Sequence, residues 1–382
     1  LKGVLVIEGH VQGLSNCRSL GKFGIPVWVL DTSDCLAHYS KYCSKFFLCP
    51  DFSTEEFVQF LLQIAEENNL RDWLIIPSND HAVLSISKNK NSLQKYYKII
   101  TSDYSIISKI YDKVELLNFA KKLDVPIPEF RLIQNVNNDM DLEFPSLLKG
   151  KNGLSFYKIF KRKVFQLNNF EELRITLEKI NEKIDLNQVF NQELIPFSKE
   201  NKTISFTAFV ASGEIKTFWI GQKLREHPLR FGTATLAESI SDPGIYDSAS
   251  KLLKALNYTG VCEVEFLKDL RDDQYKLIEI NARTWLWVGL ADACGINYPK
   301  IIYDYVHLSE VNYPKSYEKN ILWFNPISNF YFSLIGLFTF QLSYQDFKNN
   351  FNKKKINALY TKDDSFPFFL YFFMLLKFKL KR

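Results

Sequence analysis

Cysteine is scarce in this chain of 382 residues, and the six present (Cys17, Cys35, Cys43, Cys49, Cys262 and Cys294) form no CxxC pair and have no histidine at zinc-finger spacing. That excludes a structural zinc site and a disulfide framework and predicts reduced thiols in a cytoplasmic protein. A strong excess of one charge is also missing. Lys and Arg number 48 against 43 for Asp and Glu, a net charge of +5, which suits phosphorylated ligands or an anionic membrane surface better than duplex DNA. Long apolar runs are absent too: the longest in the tail, from Phe366 to Leu376, falls far short of the roughly 20 residues that span a bilayer. The opening residues lack a charged region followed by an apolar stretch and a cleavage site, so secretion is not expected. No internal repeat occurs, and no GxGxxG. What is present is ordinary globular material, 46% hydrophobic and 24% charged, which sets aside disorder and fibrous architectures.

The order of apolar runs predicts a βαβ opening. GVLVIEG ends at Gly9, a helix-compatible stretch runs to Gly24, and IPVWVLD ends at Asp31. WLIIPSND and YYKIIT supply two more runs, giving a small parallel sheet over residues 1 to about 105. Gly9 and Gly13 either border a ligand or simply allow a tight strand-to-helix turn. DKVELLNFAKKLDVPIPEF, residues 112–130, reads as a helix stopped by its VPIP segment. Strands and helices then alternate to about residue 310, with hairpin breaks at SKENK, ASGE and KDLRDDQ. After Tyr313 and Pro314 the composition turns aromatic, and this stretch reads as a separate C-terminal region.

The densest chemistry lies in GVCEVEFLKDLRDDQYKLIEINAR, two strands joined by a polar turn. Glu265 and Glu279 fall on adjacent strands, and Asn281 and Arg283 follow Glu279 at period two on the same face. Two carboxylates and an amide oxygen are the hard donors that Mg2+ prefers when phosphates complete its shell. Acids among Val, Phe and Ile require partners, which argues against a merely solvated face. Glu263 alternates onto the same face and competes with Glu265 as a ligand.

VEFLKD followed by IEINAR resembles the paired-glutamate, Glu-x-Asn-x-Arg signature that closes the ATP-grasp site. The resemblance covers roughly residues 1–310 and implies an α/β (α+β) chain: an ATP-grasp fold with a small N-terminal parallel-sheet domain and a helical C-terminal region. The implied units are a pre-ATP-grasp domain at 1–110, a lid subdomain at 111–190, a large subdomain at 191–312 and the aromatic region at 313–382. It implies ATP and Mg2+ (or Mn2+) as cofactors, Glu265, Glu279 and Asn281 as metal ligands, and Arg283 as the group that stabilises charge at the leaving phosphoryl. Lys113 and Lys149 would meet the ATP phosphates. NQELIPF resembles the hinge at which Gln192, Glu193 and the backbone around Leu194 and Ile195 hold the adenine edge, with Glu200 toward the ribose. GKNGLSF is shorter than the glycine-rich lid loop of many relatives and keeps only Gly150 and Gly153.

IGQKLREHPLRFGTATLAES gathers Lys223, Arg225, His227 and Arg230 around Gly232. A cationic stretch there is expected to meet the substrate carboxylate and its acyl phosphate, with Lys223 and Arg225 in catalytic roles; His227 is either a general base or structural. The implied activity is an ATP-dependent carboxylate–amine ligase working through an acyl phosphate, like the D-aspartate ligases and the large chain of carbamoyl-phosphate synthase. Cell-surface polymer or amino-acid conjugate synthesis is the expected setting. The implied partners are ATP, a small carboxylate and an amine, with a homodimer compatible and no nucleic acid. The competing readings are a glycosyl-transferring enzyme at a membrane surface and a silent ATP-binding protein. The tail, tipped by Lys377, Lys379, Lys381 and Arg382, is expected to dock on the body or to touch the inner membrane surface.

Overall fold

The computed structural model describes residues 1–133, 143–196, 198, 202–227, 232–338 and 353–371. Three sheets organise them. The first is wholly parallel, in the order β3-β2-β1-β4-β5, built from β1 (Val4–Ile7), β2 (Val27–Asp31), β3 (Cys43–Leu48), β4 (Trp73–Pro77) and β5 (Tyr97–Ile99). β1 is buried on both faces, which is why its sequence is a continuous apolar run rather than an alternation. The edge strand β3 escapes the sequence reading because CSKFFL is half-exposed and carries a lysine in place of such a run. Helices α1 (Val11–Gly21), α2 (Glu55–Glu67), α3 (Asp80–Lys88) and the four-residue α4 (Lys90–Leu93) complete this unit. Gly9 and Gly13 are packing glycines: an added Cβ would lie 2.2 Å from Cys35 Sγ and 2.0 Å from the Glu8 carbonyl oxygen, respectively.

Two helices, α5 (Tyr104–Tyr111) and α6 (Lys113–Lys122), lead onward. The break between them is Asp112, whose carboxylate accepts from the amides of Val114 and Glu115 and so caps α6. The second sheet, which holds most of the segment expected to form a lid, has four strands in the order β6-β9-β7-β8: β6 (Phe130–Leu132), β7 (Ser146–Gly150), β8 (Val164–Leu167) and β9 (Val189–Glu193). Its helices α7 (Gly153–Phe160) and α8 (Phe170–Asn181) bury Phe156, Leu173 and Leu177 in a core of its own.

The large sheet has the order β14-β13-β10-β11-β12-β15-β16. Long antiparallel strands form its centre: β10 (Thr203–Ala211), β11 (Glu214–His227), β12 (Thr233–Ser239), β13 (Gly260–Asp269) and β14 (Gln274–Asn281). Helices α9 (Tyr246–Ala255), α10 (Val288–Ala293) and α11 (Tyr298–His307) accompany them. The chain after residue 313 carries a helix and also joins the large sheet. Its strands β15 (Leu322–Phe324) and β16 (Lys355–Asn357) extend the large sheet, β15 antiparallel to β12 and β16 parallel to β15, with α12 (Pro326–Phe338) between them. Trp323 and Leu359 lie in one apolar core with Leu14 of α1 and Trp219 of β11. Burial of these large side chains is what draws the aromatic segment into the body. No helix among the described residues is long and apolar enough to cross a membrane. Pro228, Arg230, Lys377, Lys379, Lys381 and Arg382 lie outside the described residues, as does Glu200.

Candidate active site

The register of the β13–β14 hairpin sets the acids face to face. Glu265 pairs directly with Glu279, and Glu263 with Asn281. A bulge follows between Glu265 and Phe266, where Ile278 is the extra residue on β14. Leu277 and Ile280 therefore both enter the core, while Ile278 lines the same cavity as Glu279. That cavity is about 1440 Å3 and is lined by every sequence-predicted site residue that the structure describes.

Cations already occupy the acids. Lys113 Nζ lies 2.6 Å from Glu279 Oε2, and Lys223 Nζ lies 2.7 Å from Glu265 Oε2. Lys223 and Glu265 are only 11% and 8% exposed, so each charge needs the other. The Lys113 ammonium holds the Glu279 carboxyl well below its usual range against the opposing effect of burial. Burial works to lower the pKa of Lys223, but Glu265 and Glu263 more than offset it. Glu263 behaves differently. Burial and then the neighbouring Glu265 push its carboxyl up to about 8. It accepts from Ser205 Oγ at 2.8 Å and from Asn281 Nδ2 at 3.0 Å, as a structural brace would. Asn281 Nδ2 also reaches Glu265 Oε1 at 3.3 Å.

These donors suit a hard divalent cation: two opposed carboxylates in register, with the Asn281 amide beside them. Among the described residues, no three acidic, imidazole or thiol groups converge on one point as they stand. The two ammonium groups on Glu279 and Glu265 supply the positive charge instead, and phosphate oxygens would have to complete any metal shell.

Arg283 is held from the first domain. Its Nε and Nη2 donate to Asp80 Oδ1 and Oδ2 at 2.5 and 3.0 Å, and Tyr111 Oη donates to Asp80 Oδ1 at 2.7 Å. Asp80 opens α3 just past the carboxyl end of β4, the end of a parallel sheet at which ligands gather. Sequence reading missed Asp80 as a site residue, although its place directly after WLIIPSN is a usable signal.

On the lid side, Lys149 Nζ donates to Gln192 Oε1 at 3.1 Å. Burial, then the nearby Lys113, lowers its pKa to about 7. The Glu193 carboxylate, at the same cavity, accepts from Arg271 at 2.6 Å, Lys276 at 3.1 Å and the Glu129 amide at 2.9 Å. That cluster fastens the end of β9 to the hairpin turn, and the neighbouring Leu194 and Ile195 line the cavity. Arg225 Nη1 donates to Ser333 Oγ at 2.9 Å and to Asn329 Oδ1 at 3.3 Å, and His227 stacks on Phe332 with ring centroids 3.3 Å apart. Those partners stand on α12, in the part of the chain that sequence reading left outside the site.

Comparison with known proteins agrees with this geometry. The family model described as the carbamoyl-phosphate synthase L chain, ATP binding domain, matches residues 235–296, which include the whole acidic hairpin. A D-aspartate ligase from Enterococcus faecium is 25% identical over 242 residues, which are 59% of this chain and 58% of that protein; the match thus spans less than two thirds of the relative's length. An L-amino acid ligase from Bacillus licheniformis superposes with a TM-score of 0.62 at 14% identity, covering 80% of this chain and 74% of that one. The biotin carboxylase domain of the 2-oxoglutarate carboxylase of Hydrogenobacter thermophilus, solved with MgADP and bicarbonate, gives 0.65 at 16% identity, covering 84% and 73%. With its four-stranded sheet, its large antiparallel sheet and the opposed glutamates between them, the chain has the fold of these solved structures, and residues 235–296 are similar to that ATP-binding domain.

Proposed function

We propose that this protein is an ATP-dependent carboxylate–amine ligase that works through an acyl phosphate. The observation that carries the reading is the direct pairing of Glu265 with Glu279, with Lys113, Lys149, Lys223 and Arg283 in the same cavity. Four cations and two acids are more than a triphosphate alone requires, and they suit a site that brings two anions, ATP and a carboxylate, together. When bound, Mg2+ would neutralise charge between the phosphates and the two glutamates; the MgADP in one fold neighbour supports that choice. The carboxylate oxygen attacks the γ-phosphorus and ADP leaves; an amine then attacks the acyl carbon and phosphate leaves. This chain's residues place the reactants. Lys113 and Lys149 lie toward the phosphates, Arg283 toward the transferring group and Arg225 toward the acid. Lid closure excludes water that would hydrolyse the acyl phosphate. The D-aspartate ligase relative favours an amino acid among the substrates, and synthesis of a surface polymer or an amino-acid conjugate is the setting we favour.

Hydroxylamine tests the reading without knowledge of the natural amine, since it converts an acyl phosphate into a hydroxamate. Purified protein given MgATP, hydroxylamine and a panel of amino acids should form ADP and hydroxamate together. Glu279→Gln should lower both by at least about a hundredfold, since it removes a charged group placed for the transition state. Unaltered turnover in that variant would remove Glu279 from the metal site.

A further inference from the structure

The element least expected at the cavity is α12, which follows the sheet core at its far edge yet reaches the substrate side. The Asn325 amide donates to the Thr235 carbonyl at 3.0 Å and fixes the foot of α12 to β12, whose Thr233, Ala234 and Thr235 line the cavity. From there the helix presents two contacts to Arg225. Asn329 and Ser333, one turn apart, both accept from Arg225 Nη1, and Ser333 is buried, its own hydroxyl donating to the Asn329 carbonyl. Ser333 Oγ is thus a relay whose proton is committed to the helix and whose lone pair is turned to the guanidinium. Phe332 and Ile335 line the cavity, as does Leu286, so α12 adds apolar surface on the Arg225 side, where the His227 ring stacks on Phe332.

We infer that α12 forms the wall of the acid subsite: Asn329 and Ser333 are positioning residues that aim Arg225 at the substrate carboxylate, and Phe332, Ile335 and Leu286 accept an apolar side group on that acid. The substrate class is an amino or related carboxylic acid with an aliphatic or aromatic side chain, and this rests on the ligase reading above. A guanidinium held in one orientation forms its paired bonds to a carboxylate with less ordering cost than a mobile one. An apolar wall leaves a polar side group without hydrogen-bond partners.

L-Leucine and L-asparagine are close in shape and differ in polarity, which makes them the probes, with L-aspartate as the charged control. With hydroxylamine as the nucleophile, kcat/KM for L-leucine should exceed that for L-asparagine by about tenfold or more. Ser333→Ala should raise KM for L-leucine about tenfold, as expected for one hydrogen bond to a charged group, with KM for ATP and the melting temperature unchanged. Ser333→Thr, which keeps the hydroxyl, should restore it. Phe332→Ala should narrow the leucine-to-asparagine ratio severalfold. Equal use of asparagine, a preference for aspartate, or a Ser333→Ala variant with unchanged KM for the acid overturns the inference while leaving the ligase reading intact. A wild-type protein that binds MgATP but forms no ADP with any acid overturns both.

Discussion

Lys149 illustrates what a single side chain in this cavity must do. In the free protein it has burial and the neighbouring Lys113 against its charge, and its pKa falls from 10.5 to about 7. At pH 8 it is therefore mostly neutral, and the arrival of phosphate oxygens draws a proton onto it. Calorimetry at pH 8 in two buffers of different ionisation enthalpy should show proton uptake of nearly one per MgATP bound. The uptake should vanish at pH 6, where Lys149 is already charged, and in Lys149→Met. The same shift bears on stability with a definite sign. The cost of burying this charge is fully present below pH 7 and is relieved as pH rises from about 7 toward 10.5, because the unfolded chain binds the extra proton over that range. Glu265, Glu279, Asn281 and Arg283 were legible in the sequence because period-two alternation puts them on one face whatever lies around them. Their partners were not. Asp80 is 203 residues from Arg283, and the Lys223 grip on Glu265 crosses the intervening strand β10; neither follows from local spacing.

At the scale of elements, the hairpin β13–β14 does more than pair two acids. The bulge at Ile278 lets the strand add an apolar residue to the cavity wall while Leu277 and Ile280 stay buried, Ile280 bordering the cavity as well. Ile278 lines the cavity, as do the apolar Leu147, Val164 and Leu194. Ile278→Asn should raise KM for ATP about tenfold, the cost of losing roughly one buried aliphatic contact, and leave KM for the acid near its original value. A variant equally impaired for both substrates would place Ile278 outside the nucleotide half of the cavity. The hairpin was readable from its turn, KDLRDDQ, but the bulge was marked only by the adjacent apolar pair Leu277 and Ile278, which a strand buried on both faces would show as well. α12 escaped for a different reason. The strands that carry it into the site, β15 and β16, are three residues each, too short to show any period.

At the scale of the whole molecule, a buried ion pair fastens α1 to residues far along the chain. Arg18 of α1 is 5% exposed and Asp364 is 4% exposed, and Arg18 Nε lies 2.8 Å from Asp364 Oδ2. Asp364 also accepts from Ser40 Oγ at 2.7 Å and from the Lys41 amide at 3.0 Å, so the last described turns are fastened to the first sheet. Asp364→Ala should cost about 3–5 kcal/mol, the usual penalty for leaving a buried charge without its partner, and denaturant melts should show it as a lower midpoint. A loss below about 1 kcal/mol would mean that the guanidinium finds water instead. The parallel sheet itself was plain from its apolar runs, whereas this clasp, 346 residues in span, has no local signature.

That clasp also sets an order of events during synthesis. The first sheet is translated before residue 364 and can collapse on its own apolar strands, but its first helix then carries a guanidinium whose counter-ion has not yet been translated. Until residue 364 emerges, water or a chaperone has to solvate that charge, so the nascent N-terminal unit stays looser than in the finished protein. Ribosome-stalled chains ending before and after Asp364 should differ sharply in protease resistance within α1, although nearly all of the sequence is common to both.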